Sequence, residues 1–152
     1  MTLRQGYRAD IVIRSSDGSP ICVVEIKNLE NLSRKDALVL RRNMIAHGML
    51  ANATYLMIIS QDRGFLWKES RRKSPNASPK LEFPMPDVVA RYLPQITSQN
   101  RLRGSELELI VLGWLNELAT HPIVDTEPEK SLDDIGFTKD IKYARVTAEV
   151  AL

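Results

Sequence analysis

Histidine and cysteine are nearly absent from this chain, which has two of the first and one of the second in 152 residues. His47 and His121 have no second His or Cys at the spacing of a zinc site, so structural or catalytic zinc is excluded on ligand grounds. Cys22 has no partner for an intrachain disulfide, and its apolar neighbours mark it as a small core residue rather than a nucleophile. The seven glycines form no phosphate-cradling motif. Neither Gly-x-Gly-x-x-Gly nor Gly-x-x-x-x-Gly-Lys occurs, and no serine stands in a Gly-x-Ser-x-Gly elbow. No apolar run approaches the ~18 residues of a membrane helix, so no membrane partner is expected. The first residues carry no signal-peptide pattern, and a reducing cytoplasm is the expected location.

What is present suits one domain with a substantial core, at 43% hydrophobic residues. The net charge of +2 hides an asymmetry. Residues 1–103 hold 17 basic and 9 acidic residues, whereas residues 104–152 hold 4 and 10. A basic body with an acidic C-terminal third fits nucleic-acid binding by the body, and equally fits complementarity between the two parts.

The densest signal lies in two short apolar runs, Ala9-Asp-Ile-Val-Ile13 and Ile21-Cys-Val-Val-Glu-Ile-Lys27. Asp17-Gly18 between them is a strong hairpin turn, since Gly supplies positive φ without steric cost. A two-residue turn there makes opposed residue numbers sum to 35, which sets Asp10 against Glu25 and Lys27 against Arg8. Alternation gathers Ala9, Ile11, Ile13, Cys22, Val24 and Ile26 on one apolar face. Asp10, Glu25 and Lys27 share the other face with Val12, Ile21 and Val23. Cross-strand Cβ atoms are only ~4.5–5.5 Å apart, and like charges there are destabilising. Two opposed carboxylates in an apolar hairpin call for a compensating cation, and a divalent ion is the natural candidate. A cross-strand salt-bridge network on a solvated face is the plainer alternative.

An Asp on one strand followed by Glu-x-Lys on the next resembles the PD-(D/E)xK nuclease superfamily, with its restriction-endonuclease-like fold. Ala9 replaces the family's Pro. The stretch from Tyr7 to Lys68 is similar to small bacterial members of the superfamily and to nuclease domains of type I restriction subunits. The resemblance implies that Asp10 and Glu25, with the Ile26 carbonyl, hold Mg²⁺ or Mn²⁺. It implies that Lys27 orients or activates the attacking water. The family fold begins with a helix and a strand ahead of the Asp-bearing strand, and that helix often adds an acidic residue. Only nine residues precede Asp10 here, and none is acidic. The resemblance therefore implies a mixed sheet flanked by helices that lacks the N-terminal helix and first strand, or borrows them from another subunit.

Further along, Ser33 with Asp36 forms a capping box for a helix reaching about Leu50. Arg34, Lys35, Arg41 and Arg42 recur at a spacing of seven and fall together on one side of it. Thr54 to Ser60 reads as a strand buried on both faces, and Phe65 to Lys68 as its neighbour. Lys68, Arg71, Arg72 and Lys73 form a second basic cluster beside Trp67, ahead of an exposed loop. Both basic groups are candidate phosphate-binding residues, while Trp67 reads mainly as core. Pro86 to Leu93 fits a short helix, and Ser105-Glu-Leu-Glu108 opens another to about Ala119 with an apolar stripe from Leu107 to Leu118. Leu132 to Phe137 reads as a helical turn ended by Gly136, and Arg145 to Val150 as a final strand.

These readings converge on a single α/β (α+β) domain over 1–152. It comprises a nuclease-like core over 1–73, a loop and short helix over 74–103, and an acidic C-terminal helical extension with a strand over 104–152. The expected activity is metal-dependent hydrolysis of DNA phosphodiesters. An inactive nuclease-fold module for DNA binding or assembly is the alternative, and a homodimer through the C-terminal helix a third reading.

Overall fold

The computed structural model describes residues 9–50, 52–92, 102 and 104–149. Strands β1 (Ile11–Arg14) and β2 (Pro20–Ile26) form the hairpin, and α1 (Arg34–Ala46) carries the chain back to β3 (Tyr55–Ile59). β4 (Arg63–Lys68), β5 (Leu81–Pro84) and α2 (Pro86–Tyr92) follow. α3 (Gly104–Thr120), α4 (Glu129–Asp134), α5 (Phe137–Asp140) and β6 (Arg145–Ala148) complete the order. The six strands make one mixed sheet in the order β5-β4-β3-β2-β1-β6, with β2 and β3 parallel and every other pair antiparallel. The parallel pair follows from α1, because a helix is the usual crossover that returns a strand in the same direction. Ser33 caps α1 as the capping box requires: Asp36 N–H donates to Ser33 Oγ at 3.0 Å, and Ser33 N–H to Asp36 Oδ2 at 3.3 Å.

Each face of the sheet has its own core. Ile11, Ile13, Cys22, Val24, Tyr55, Met57, Ile59 and Leu66 pack with Leu107, Val111, Trp114 and Leu118 of α3 and with Phe137. On the reverse face Val23, Leu56, Ile58, Phe65 and Trp67 pack with Ala37 and Met44 of α1. β3 is therefore buried at every position, as its continuous apolar run requires. Trp67 and Trp114 are both core, their indole N–H groups donating to the Ala77 carbonyl at 2.8 Å and to Glu129 Oε2 at 2.9 Å.

Three expectations change. The interval 74–103 is not only loop and helix, because β5 adds an edge strand with just four residues and too little alternation to announce itself. The acidic C-terminal third is no appendage: α3 builds half of one core, and β6 pairs with β1 along its whole length. Ala9 joins the α1-side core instead of the face of Ile11 and Ile13, because the alternation breaks at Asp10.

The turn also differs from expectation while its consequence holds. Gly18 N–H donates to the Ser15 carbonyl and Ser15 N–H to the Ser19 carbonyl, both at 2.9 Å, which closes three residues rather than two. Gly18, at φ 89°, is the left-handed residue that ends such a loop. Arg14 then pairs with Pro20, but a bulge at Ile21 restores Ile13 to Cys22, Val12 to Val23 and Ile11 to Val24. The longer loop and the bulge offset one another, so the strands reach the Asp10 end in the expected register.

Gly64 faces the ring of Phe83 so closely that an added Cβ would fall inside it. Phe83 is held in the core with Trp114, at 6.0 Å between centroids. Gly64→Ala should therefore cost roughly 1–3 kcal/mol of stability through overpacking, seen as a lowered urea midpoint with unchanged slope.

Candidate active site

β2 ends at Ile26 beside the end of β3, where Lys27 N–H donates to the Ile59 carbonyl at 2.8 Å. Asp10 lies one residue outside the β1 ladder at the same end. Its N–H donates to the Val24 carbonyl at 3.1 Å, and its Oδ2 accepts from Ile26 N–H at 2.7 Å. The Asp10 carboxylate thus caps the frayed end of β2 and is held against Glu25. Glu25, like Val23 two residues before it, points to the α1 face, and it retains only 9% of its exposure. Lys27 Nζ stands 3.3 Å from Glu25 Oε2. The other oxygen, Glu25 Oε1, is buried without a hydrogen-bond partner among the described residues.

A buried carboxylate beside a second negative charge resists ionisation. Burial, and then the Asp10 charge, push the Glu25 pKa up to about 7, with Lys27 pulling the other way. The linkage has a definite sign. Unfolded, Glu25 ionises near its ordinary 4.5, whereas the folded chain holds the proton to about 7. Between those values the unfolded state has lost a proton that the native state keeps, so stability falls as pH rises through the window. Glu25→Gln should abolish that fall, which amounts to something on the order of 3 kcal/mol at most. Urea unfolding of both proteins at pH 5 and pH 8 measures it. A pH dependence that survives the substitution would assign it to other groups.

Two residues at this end were not singled out from the sequence. Glu108 of α3 has a raised pKa, first from partial desolvation and then from the Asp10 charge, which places its carboxylate in the field of Asp10. Its position within the opening of an apolar-striped helix was visible in the sequence, but its proximity to Asp10 was not. Arg63 is exposed as the first residue of β4, next to the Gly64 that pairs with Ile59. Among the described residues, no three His, Cys, Asp or Glu side chains come close enough together to hold a metal ion. The oxygen donors in hand are therefore Asp10 and Glu25. A pair of carboxylates suits Mg²⁺, which is commonly bound by one or two carboxylates and completes its shell with waters.

The expected phosphate-binding residues separate into three groups. Arg41 is wholly buried, its guanidinium donating to both Glu69 carboxylate oxygens at 2.9 Å and to the Ser74 carbonyl at 2.6 Å. It is a core ion pair and has nothing left for a phosphate. Arg34 is paired with Glu82 of β5. Lys35 and Arg42 are exposed, as are Lys68, Arg71 and Arg72, while Lys73 Nζ donates to the Ser70 carbonyl at 3.1 Å. Strand direction decides where these lie. Lys68 pairs with Tyr55, which pairs with Cys22, whereas Glu25 pairs with Ile58. The cluster from Lys68 to Lys73 therefore stands at the opposite end of the sheet from Asp10 and Glu25. Arg8, the expected neighbour of Lys27, lies outside the described residues.

No family model matches this chain, and neither a curated protein nor a solved structure matches it.

Proposed function

We propose that the chain is a metal-dependent nuclease-like protein acting on DNA phosphodiester bonds, with Asp10, Glu25 and Lys27 as its catalytic group. The observation that carries this is Glu25: a buried carboxylate with one unpartnered oxygen, set against a second carboxylate and beside a lysine. A proton shared with Asp10 satisfies Glu25 below about pH 7, and a bound cation would take that proton's place. Fold position supports the reading as well. A strand beside the Asp-bearing strand and a helix packed against it are present, supplied by β6 and α3 from the C-terminal side of the chain. Glu108 of that helix feels the Asp10 charge, although no third carboxylate joins Asp10 and Glu25 among the described residues.

Asp10 and Glu25 would hold Mg²⁺ or Mn²⁺, with the Ile26 carbonyl as a third oxygen. A bound divalent ion lowers the pKa of water and polarises the phosphoryl oxygen. Lys27 then orients the nucleophile and offsets negative charge at phosphorus. Among exposed cations with no carboxylate partner among the described residues, Lys35 near the start of α1 and Arg63 at the start of β4 follow the strand ends on this side of the sheet. The cluster from Lys68 to Lys73 would contact a substrate only if it spanned the sheet.

Incubating duplex, single-stranded and branched DNA with Mg²⁺ or Mn²⁺ tests the reading. Cleavage should depend on the ion and vanish in Asp10→Asn and Glu25→Gln, and the ion should raise the melting temperature of the wild type only. Salt-dependent binding without cleavage would instead favour a nuclease-fold binding module. With neither binding nor cleavage, the charged hairpin would be structural.

A further inference from the structure

β6 is an outer strand whose far side pairs with nothing among the described residues, and its charges are placed oddly for a strand that ends there. Arg145 lies directly opposite Arg14 on β1. Glu149, just past the end of β6, donates its N–H to the Asp10 carbonyl at 2.8 Å and so lies opposite Asp10. Like charges facing one another across an antiparallel pair are destabilising. The pair of strands relieves this in part, because Arg14 reaches diagonally to Glu149 at 2.7 Å. Arg145 remains exposed and has no carboxylate partner among the described residues.

The hydrogen-bond alternation says what the outer edge offers. Since Glu149 bonds Asp10, the odd-numbered residues Arg145, Thr147 and Glu149 turn their backbone groups inward to β1. Val146 and Ala148 turn theirs outward. Among the described residues no proline, lysine or bulge guards this edge, and only Arg145 and Glu149 place charges at its two ends. Val146 packs its side chain on the α3-side core, so the strand is held in an extended shape.

We infer that β6 is a homodimer interface, two copies of the chain joining their β6 edges antiparallel about a two-fold axis at Thr147. In that register Val146 faces the partner's Ala148, and the two outward-turned residues exchange N–H and C=O bonds in both halves of the interface. Thr147 meets the partner's Thr147, and Arg145 meets the partner's Glu149. Shifting the register by two residues in either direction keeps the backbone parity but loses the charge match. A two-fold axis makes the contact self-complementary and closed, as isologous dimers require. The exposed ion pairs choose the register more than they add affinity, since water screens such pairs. This assembly does not depend on the chemistry of Asp10 and Glu25.

Sedimentation velocity of the full chain, with circular dichroism to confirm folding, tests it. The wild type should sediment as a dimer across the micromolar range. Val146→Pro removes an outward N–H without touching the β1 ladder and should give a folded monomer. Arg145→Glu should weaken the dimer several-fold without abolishing it, because it sets acid against the partner's Glu149 while relieving the Arg14 repulsion within one chain. Combining it with Glu149→Arg restores opposite charges across the axis and should restore the wild-type affinity. A monomeric wild type would overturn the proposal. So would a dimer that persists in Val146→Pro, whereas an Arg145→Glu dimer as tight as the wild type, or a double swap that does not restore pairing, would overturn the register.

Discussion

Arg41→Ala should lower folding stability by about 3–5 kcal/mol, the usual cost of removing one partner from a buried ion pair. The side chains of Arg41 and Glu69 retain only 2% and 1% of their exposure. The substitution strands a carboxylate in the core and leaves the Ser74 carbonyl without its 2.6 Å donor. It also takes away the cation lying 5.7 Å from the centre of the Trp67 ring. Lysine should rescue little, since the ammonium cannot reproduce a fork that reaches two carboxylate oxygens and a carbonyl at once. The neighbouring Arg42→Ala, at an exposed position, should stay within about 0.5 kcal/mol of wild type. Urea titrations of the three variants measure the contrast. Equal and small effects at 41 and 42 would return Arg41 to the surface and to the list of phosphate ligands.

On the nuclease function proposed above, Lys27→Ala should lower DNA cleavage by roughly 10²–10³-fold, the range seen when one donor to developing negative charge is removed. DNA affinity should change little, because the lysine is one cation among several exposed ones. A second signature separates this role from a merely structural one. Lys27 holds down the pKa of Glu25, which stands at about 7 with the lysine in place. Without it, Glu25 of the metal-free chain should ionise at higher pH, and the window in which stability falls with pH should extend upward. Lys27→Arg should keep the charge and return the window toward wild type. Undiminished cleavage in Lys27→Ala would remove the catalytic role, and an unshifted stability window would remove the coupling between Lys27 and Glu25.

Local pattern was enough for much of this protein. The capping box at Ser33, the doubly buried run of β3, the apolar stripe of α3 and the alternating strand at Arg145 each depend on residues close in sequence, and each formed. The convergence of Asp10, Glu25 and Lys27 was legible for the same reason, since a short hairpin relates its strands through one turn. Even so, the turn chemistry was different, and the register held only because a bulge offset the extra loop residue.

What tertiary structure alone decided is which charges are free. Arg34 and Arg41 occupy equivalent positions two helical turns apart, and periodicity cannot distinguish them. One is exposed and pairs with Glu82 on β5, while the other is sealed beneath Trp67 by Glu69. The separation of the Lys68 cluster from the carboxylates follows from strand direction, which is fixed by pairing between segments rather than by either segment's composition. Glu108 near Asp10, and β6 against β1, join residues about a hundred or more positions apart. Their closeness arises because α3 must bury its apolar face on the sheet and β6 must satisfy its backbone on the remaining edge. The sequence by itself determined the elements and the hairpin that carries the site; packing of the C-terminal third determined what surrounds it.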